Sequence, residues 1–326
     1  MNGRPKTNLA IIGLGGWGRK LVESVQGKST DVGFSAAIVR RTDSSEAFAK
    51  AHGLRLETDI ASTLADPSIA GVVSSGPAHL HAVHGIAAME AGKPVLAIKP
   101  LALTAADAAK MAAVSEAKGV LLALGYNRCF YPNVAEMRRR LAAGALGDLV
   151  HAEGDFCVDR YRSLKGAHWK ANPENSPAGG LADHMLYLAI DTLGPIDEVH
   201  ALAFRHHSDN ELADATAVLL RTKGRQSALL TAIGVTSDYY RFQVFGAKGW
   251  IEIRDDTGFA FQPLKGPRED IVFDAIDAER AEVEAFAAAI RGERIFPVPV
   301  RDAVHGVAAL EAIGRSALEN RPMPVE

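Results

Sequence analysis

The sequence predicts an α/β protein in two parts, a doubly wound parallel sheet followed by an α+β part with a large, mainly antiparallel open sheet. Three observations predict it. Up to about residue 125, short apolar runs alternate with helical patterns, as strands joined by right-handed helical crossovers do. A glycine-rich turn follows the first of those runs. Beyond Gly125, longer strand-like runs are separated by turn residues, and two long helical stretches close the chain. The boundary sets domains at 1–125 and 126–326, with the final helices free to pack back on the first domain.

Each element has its own signal. Asn8 to Ile12 is an apolar run of buried-strand length, and Trp17, Leu21 and Val25 then recur at helical spacing. Phe34 to Val39 is a second strand, and the helix from Ser44 to His52 is stopped by Gly53. Gly71 to Ser75 and Val95 to Ile98 are further strands, with a helix from His79 to Gly92 between them. Thr104, with Asp107 three residues on, opens a helix that Gly119 ends, and Val120 to Leu124 completes the series. In the second part, a helix from Pro132 to Leu141 precedes strands at 149–156, 198–204, 215–221, 227–233, 240–245 and 249–253. Helices at 278–291 and 301–319 finish the chain.

Bulk properties exclude several classes. A net charge of −3 argues against a dedicated nucleic-acid binder, which carries a basic excess. No apolar run reaches the length of a membrane span, and the N-terminus is too polar for a signal peptide, so a cytoplasmic protein is expected. Cys129 and Cys157 follow no metal spacing, the pair His206-His207 has no further ligands nearby in sequence, and no metal is expected.

The glycine-rich turn carries the first chemistry. Gly13-Leu14-Gly15-Gly16-Trp17-Gly18 matches G-x-G-x-x-G between a strand and a helix. Its first glycine makes the tight turn, the second lets backbone approach a pyrophosphate, and the third packs helix against strand. The helix start then offers free N–H groups to phosphates, which is the Rossmann arrangement for a nicotinamide dinucleotide. An NAD site places an acid at the end of the second strand, but Arg40 and Arg41 stand there. Guanidinium groups pair with a 2′-phosphate, which favours NADP over NAD. Arg41 reads equally as a solvated surface charge, and Asp43 can serve a ribose if the strand end is shifted.

The chain resembles the family of glucose-fructose oxidoreductase and inositol dehydrogenase (Gfo/Idh/MocA) over nearly its whole length. The resemblance rests on GLGGWG at 13–18, GPAHLH at 76–81, AGKPVLAIKPLALT at 91–104 and GYNRCFYP at 125–132. HWK with NSPAGG at 168–180 and EVEAFAAAIRGE at 282–293 add to it. It implies a site at the carboxyl ends of the parallel strands, between the two domains. Lys99 matches the family's catalytic lysine in Glu-Lys-Pro, although Ile98 replaces the acid. Such a lysine hydrogen-bonds the reacting oxygen of the substrate.

The family's Asp-x-x-x-His pair falls on Asp183-His184-Met185-Leu186-Tyr187 in an ambiguous register. Counting forward from Asp183 gives Tyr187, whereas counting back from Leu193-Gly194-Pro195 gives His184. His184 is preferred as the acid/base, since a loop deletion is easier to absorb than a changed helix length. Asp183 then orients a neighbour or binds a substrate hydroxyl. The resemblance places Ser75, Pro77, His81, Asn127 and Trp169 near the cofactor, and Tyr126 and Arg128 in the substrate pocket. Tyr161 reads as a substrate contact or a sheet-surface residue.

Together these imply hydride transfer between NADP or NAD and a secondary alcohol or ketone of a sugar, inositol or related polyol. Two other readings are a nucleotide-binding sensor without turnover and a glycosidase-like enzyme with transient redox chemistry. The resemblance also implies a homodimer or homotetramer, through a sheet face near Val244, Phe245, Trp250 and Ile253.

Overall fold

A computed structural model describes residues 5–164, 181–207 and 211–326. The chain divides into two compact units, Met1–Asn127 with Asp277–Val304, and Arg128–Ile276 with His305–Glu326.

In the first unit, β1 (Thr7–Ile12), β2 (Val32–Ile38), β3 (Arg55–Glu57), β4 (Gly71–Ser74), β5 (Val95–Ile98) and β6 (Leu122–Gly125) form one sheet. Its order is β3-β2-β1-β4-β5-β6, and every pairing is parallel. β4, β5 and β6 are buried at every position, which is why they read as unbroken apolar runs rather than alternating ones. Helices α1 (Gly16–Val25), α2 (Glu46–His52), α3 (Ile60–Ala65), α4 (His81–Glu90) and α5 (Ala105–Lys118) make the crossovers. The Thr104 side chain caps α5 by accepting from the Asp107 N–H at 3.1 Å, and Gly119 closes it in the left-handed region. Leu9, Ile11, Leu21 and Leu96 are wholly buried, each contributing about 1.5–3 kcal/mol of burial free energy. Later in the chain, α8 (Ala278–Ile290) packs on α1 and β2.

The second unit begins with α6 (Pro132–Ala142). Its sheet comprises β7 (Leu149–Asp159), β8 (Ile196–Phe204), β9 (Ala215–Thr222), β10 (Ser227–Ile233), β11 (Val235–Gly246), β12 (Gly249–Arg254), β13 (Gly258–Pro263), β14 (Glu269–Val272) and β15 (Met323–Pro324). The order is β14-β13-β12-β11-β7-β10-β9-β8-β15. β10 runs parallel to β7 and the other pairings are antiparallel, so the sheet is mixed but mostly antiparallel. α7 (Asp183–Leu193) packs on β7 and β10, and α6 packs on β12 and β13. Residues of the last helix, α9 (Val300–Glu319), tie to the same sheet, where Ser316 Oγ accepts from the Ala201 N–H at 2.9 Å.

The strand period of two separates the four residues suggested for one apolar face. Val244 and Ile253 are buried on the side of α6, where Ile253 lines a small cavity with Phe242 and Val134. Phe245 and Trp250 pair across β11 and β12 on the opposite side. That opposite side also carries Leu202, Leu219 and Leu229, all exposed, and Arg241, whose guanidinium bonds Glu153 and Asp155 at 2.5 and 2.9 Å. Among the described residues, no helix is long and apolar enough to cross a membrane.

Candidate active site

The site in the first unit starts where β1 and β4 part company. Strand order reverses there, and the two adjacent carboxyl ends leave a crevice for a ligand. Gly13 leaves β1 with φ +94°, and a Cβ on it would lie 2.9 Å from Cα of Gly76. A Cβ on Gly18 would lie 2.1 Å from the Gly13 carbonyl oxygen, so α1 can only meet the turn through a glycine. Gly15 and Gly16, by contrast, face open space. Gly15 is the N-cap of α1, makes no side-chain cap, and no acid stands in the first turn. Uncapped N–H groups and the helix dipole therefore meet that space, an arrangement that fits the pyrophosphate of a dinucleotide.

Neighbouring side chains hold this turn in place. Ser75 Oγ lies 2.8 Å from the Gly13 carbonyl oxygen and 3.1 Å from that of Ile12, so its hydroxyl fastens the turn to the end of β4. Arg19, which sequence reasoning missed, donates to the carbonyls of Leu14 and Ser44 and lies over the Phe48 ring at 4.7 Å. It links the glycine turn to the loop after β2. Its place just after the third glycine is visible in sequence, but its partners are tertiary. In that loop Arg40 and Arg41 are exposed, and Arg41 reaches Asp43 only at 3.9 Å. Trp17 has a buried indole N–H with no acceptor among the described residues, and the Lys20 ammonium lies 4.8 Å over its ring.

Lys99 emerges at the carboxyl end of β5, next to β4 in the sheet. Its backbone N–H donates to Gly125 at the end of β6, and Tyr126 and Asn127 follow there. Gly13, Ser75, Lys99 and Tyr126 thus step off four adjacent strands at one edge of the sheet. Pro77 precedes a short 3-10 turn that leads into α4. His81 is buried with Nδ1 2.9 Å from the Pro100 carbonyl and Nε2 3.1 Å from that of Gly76. It braces the loops after β4 and β5, and burial holds its imidazole below the usual histidine range. Tyr126 is buried, and the Asn127 amide donates to Glu279 of α8 at 3.1 Å.

In the second unit, Gly154 of β7 lets α7 approach closely, since a Cβ there would lie 2.9 Å from Met185 Cβ. Two residues along the same face, Phe156 stacks on the His184 imidazole with ring centres 3.8 Å apart and planes 1° from parallel. Tyr240 lies 4.8 Å from Phe156, and the buried Arg128 guanidinium lies 5.0 Å from Phe156 and 4.5 Å from Tyr240. His184 is half-buried in the first turn of α7. Tyr187, one turn on, is buried with its ring against Gly306, where a Cβ would meet it at 2.2 Å.

Asp183 is buried, and so is Tyr161, which is therefore no sheet-surface residue. Burial first, and then the Asp183 charge, push the Tyr161 hydroxyl above the usual phenol range. Gly234 leaves the space its ring fills. Trp169 and the rest of the 168–180 segment lie outside the described residues. No group of three or more His, Cys, Asp or Glu among the described residues could hold a metal ion.

Known proteins share the sequence pattern and the fold. The oxidoreductase family with an NAD-binding Rossmann fold matches residues 7–126, and the GFO/IDH/MocA C-terminal domain matches 134–252. Inositol 2-dehydrogenase 1 of Saccharopolyspora erythraea is 31% identical over 284 residues, 81% of this chain and 79% of its own. The NADP(+)-dependent scyllo-inositol 2-dehydrogenase of Bacillus subtilis is 27% identical over 184 residues, 56% of this chain and 51% of its own. A levoglucosan dehydrogenase, solved with NADH and levoglucosan, shares the fold at a TM-score of 0.87 and 19% identity, covering 98% of this chain and 100% of that one. The chain belongs to the GFO/IDH/MocA family of NAD(P)-dependent oxidoreductases.

Proposed function

We propose that this oxidoreductase moves a hydride between a nicotinamide nucleotide, NADP before NAD, and a secondary alcohol or ketone of a sugar, inositol or related polyol. One observation carries the reading. The dinucleotide turn and Lys99 leave the parallel sheet at the same edge, with only β4 between their strands. The names of the inositol and levoglucosan dehydrogenases support the substrate class. Exposed Arg40 and Arg41 at the end of β2, with no acid at that strand end, support NADP.

The nicotinamide, when bound, supplies the hydride chemistry, and the protein aligns the substrate and handles its proton. Lys99 hydrogen-bonds the substrate oxygen and lowers the cost of charge building there. His184 exchanges the hydroxyl proton in either direction. Its partial exposure supports it over Tyr187, whose hydroxyl is buried and whose ring is packed against α9. A homodimer or homotetramer through the open sheet face belongs to the same reading, supported by exposed Leu202, Leu219 and Leu229.

The test follows reduced-nicotinamide absorbance across a polyol panel with each nucleotide, on protein whose mass is measured by light scattering. At least one polyol is expected to turn over, with kcat/KM about tenfold or more higher for NADP, as one charge-assisted hydrogen bond would give. Lys99→Ala is expected to lower kcat by about 10²–10⁴-fold while the nucleotide Kd stays within about twofold. Near-normal turnover in that variant removes Lys99 from the reaction, and a monomer removes the assembly. Failure to bind either nucleotide in calorimetry overturns the whole reading.

A further inference from the structure

We infer that Phe156 is a positioning residue for His184, fixing the plane of its imidazole, and that Arg128 and Tyr240 hold Phe156 in place. This rests on the reading above in which His184 exchanges the substrate proton. Imidazole and phenyl rings lie 3.8 Å apart and 1° from parallel, so one face of the imidazole is fully covered. An acid/base must present a ring nitrogen to the substrate oxygen within a narrow range of directions. A histidine in the first turn of a helix has two side-chain torsions to fix, and a flat wall removes most of the freedom of the second.

The wall is itself fixed. Phe156 lies on the helix-covered face of β7, two residues from Gly154, whose missing Cβ lets α7 come close enough for ring contact. With His184 on one face of Phe156, Tyr240 and Arg128 also lie against it at 4.8 and 5.0 Å. Arg128 is 8% exposed, and its Nε is buried with no acceptor among the described residues. Its charge is instead surrounded by the rings of Tyr131, Phe156 and Tyr240, at 5.8, 5.0 and 4.5 Å. Cation–π attraction is strongest where water is excluded, so Arg128 holds these rings together rather than serving only as a substrate hand.

The experiment compares Phe156→Leu, Phe156→Tyr, His184→Asn and the Phe156→Leu/His184→Asn double variant in the holoenzyme, reading kcat, KM and nucleotide Kd. Phe156→Leu keeps apolar bulk but loses the flat wall. It is expected to lower kcat about tenfold with KM changed less than about twofold, as loss of an interaction made only in the transition state does. Phe156→Tyr restores kcat, and Phe156→Leu costs nothing further once His184 is gone. Wild-type kcat in Phe156→Leu, or an equal loss in the His184→Asn background, overturns the positioning role. Near-normal turnover in His184→Asn overturns the assignment of His184 itself, so the two failures are distinct. A second readout needs no variant of Phe156. Stacking should move the His184 imidazole proton resonances upfield, assigned by their absence in His184→Asn, and unshifted resonances overturn the stack.

Discussion

Two glycines, one in each unit, let a helix lie against a strand or its turn, and they do so against different obstacles. At Gly18 the space is bounded by the Gly13 carbonyl oxygen, 2.1 Å from where a Cβ would stand. At Gly154 the nearest obstacles are side-chain atoms, Met185 Cβ at 2.9 Å and Leu230 Cδ2 at 3.1 Å. The first obstacle is backbone inside the glycine turn, and it cannot yield without remaking that turn. The second is Met185 Cβ, carried by the backbone of α7, with the flexible end of Leu230 beside it, and it yields if α7 moves off β7 by a fraction of an ångström. A glycine turn built from backbone should therefore fail abruptly, and a cluster of stacked rings should fail by degrees.

The sharpest way to break that comparison is Gly18→Ala. The methyl also meets Ser75 Oγ at 2.7 Å, so it strikes the turn and the hydroxyl that fastens it. The expected loss of stability is at or above the top of the roughly 1–3 kcal/mol seen for overpacking, with nucleotide affinity falling about 100-fold or more. Urea unfolding and calorimetry on the full chain measure both. A Gly18→Ala variant that folds and binds nucleotide as before would show that the backbone obstacle yields after all.

Gly154→Ala is the matched test and should do less. Lifting α7 from β7 by a few tenths of an ångström is expected to cost about 1–2 kcal/mol. It should loosen the Phe156–His184 stack and lower kcat several-fold, with nucleotide affinity unchanged because the altered contact lies wholly in the second unit. Inactivation as complete as that from Gly18→Ala would erase the distinction between the two regions.

The same contrast explains what is legible in the sequence. The glycine turn is encoded by neighbours along the chain, so its spacing, the strand before it and the helix after it all show in one segment. Lys99 is placed by Pro100 and a strand, again locally. β3 escapes sequence reasoning because three residues carry no period, and β13 and β14 are lost among short mixed runs. Parallel pairing of β10 with β7 cannot be read, since register between distant strands leaves no local mark. Nor can the stack of Phe156 on His184, which depends on Gly154 and on how α7 settles. Resemblance puts Ser75 and His81 near the cofactor, yet what they visibly do is bond the backbone of the loops there. The ambiguity between His184 and Tyr187 is of the same kind, because helix periodicity places both but does not say which is buried.

The first unit also carries a pH dependence that sharpens the comparison further. Glu282 of α8 is wholly buried, and neither carboxylate oxygen has a hydrogen-bond partner among the described residues. Burial, with the nearby Glu279 charge adding to it, pushes its carboxyl well above the usual value of 4.5. Glu279 is itself partly neutralised by Lys20 at 2.6 Å. Below the unfolded value, both states hold the proton and Glu282 costs nothing on that account. Above it, the unfolded chain releases the proton while the folded chain keeps it, so stability falls as pH rises until the folded value is passed. The expected slope from this one group is about 1.4 kcal/mol per pH unit across that window. Glu282→Gln should flatten the slope above the unfolded carboxyl value while leaving stability below that value little changed. Urea midpoints at a series of pH values read this directly, and a slope unchanged by the substitution would mean that Glu282 ionises in the folded protein much as it does in the unfolded one.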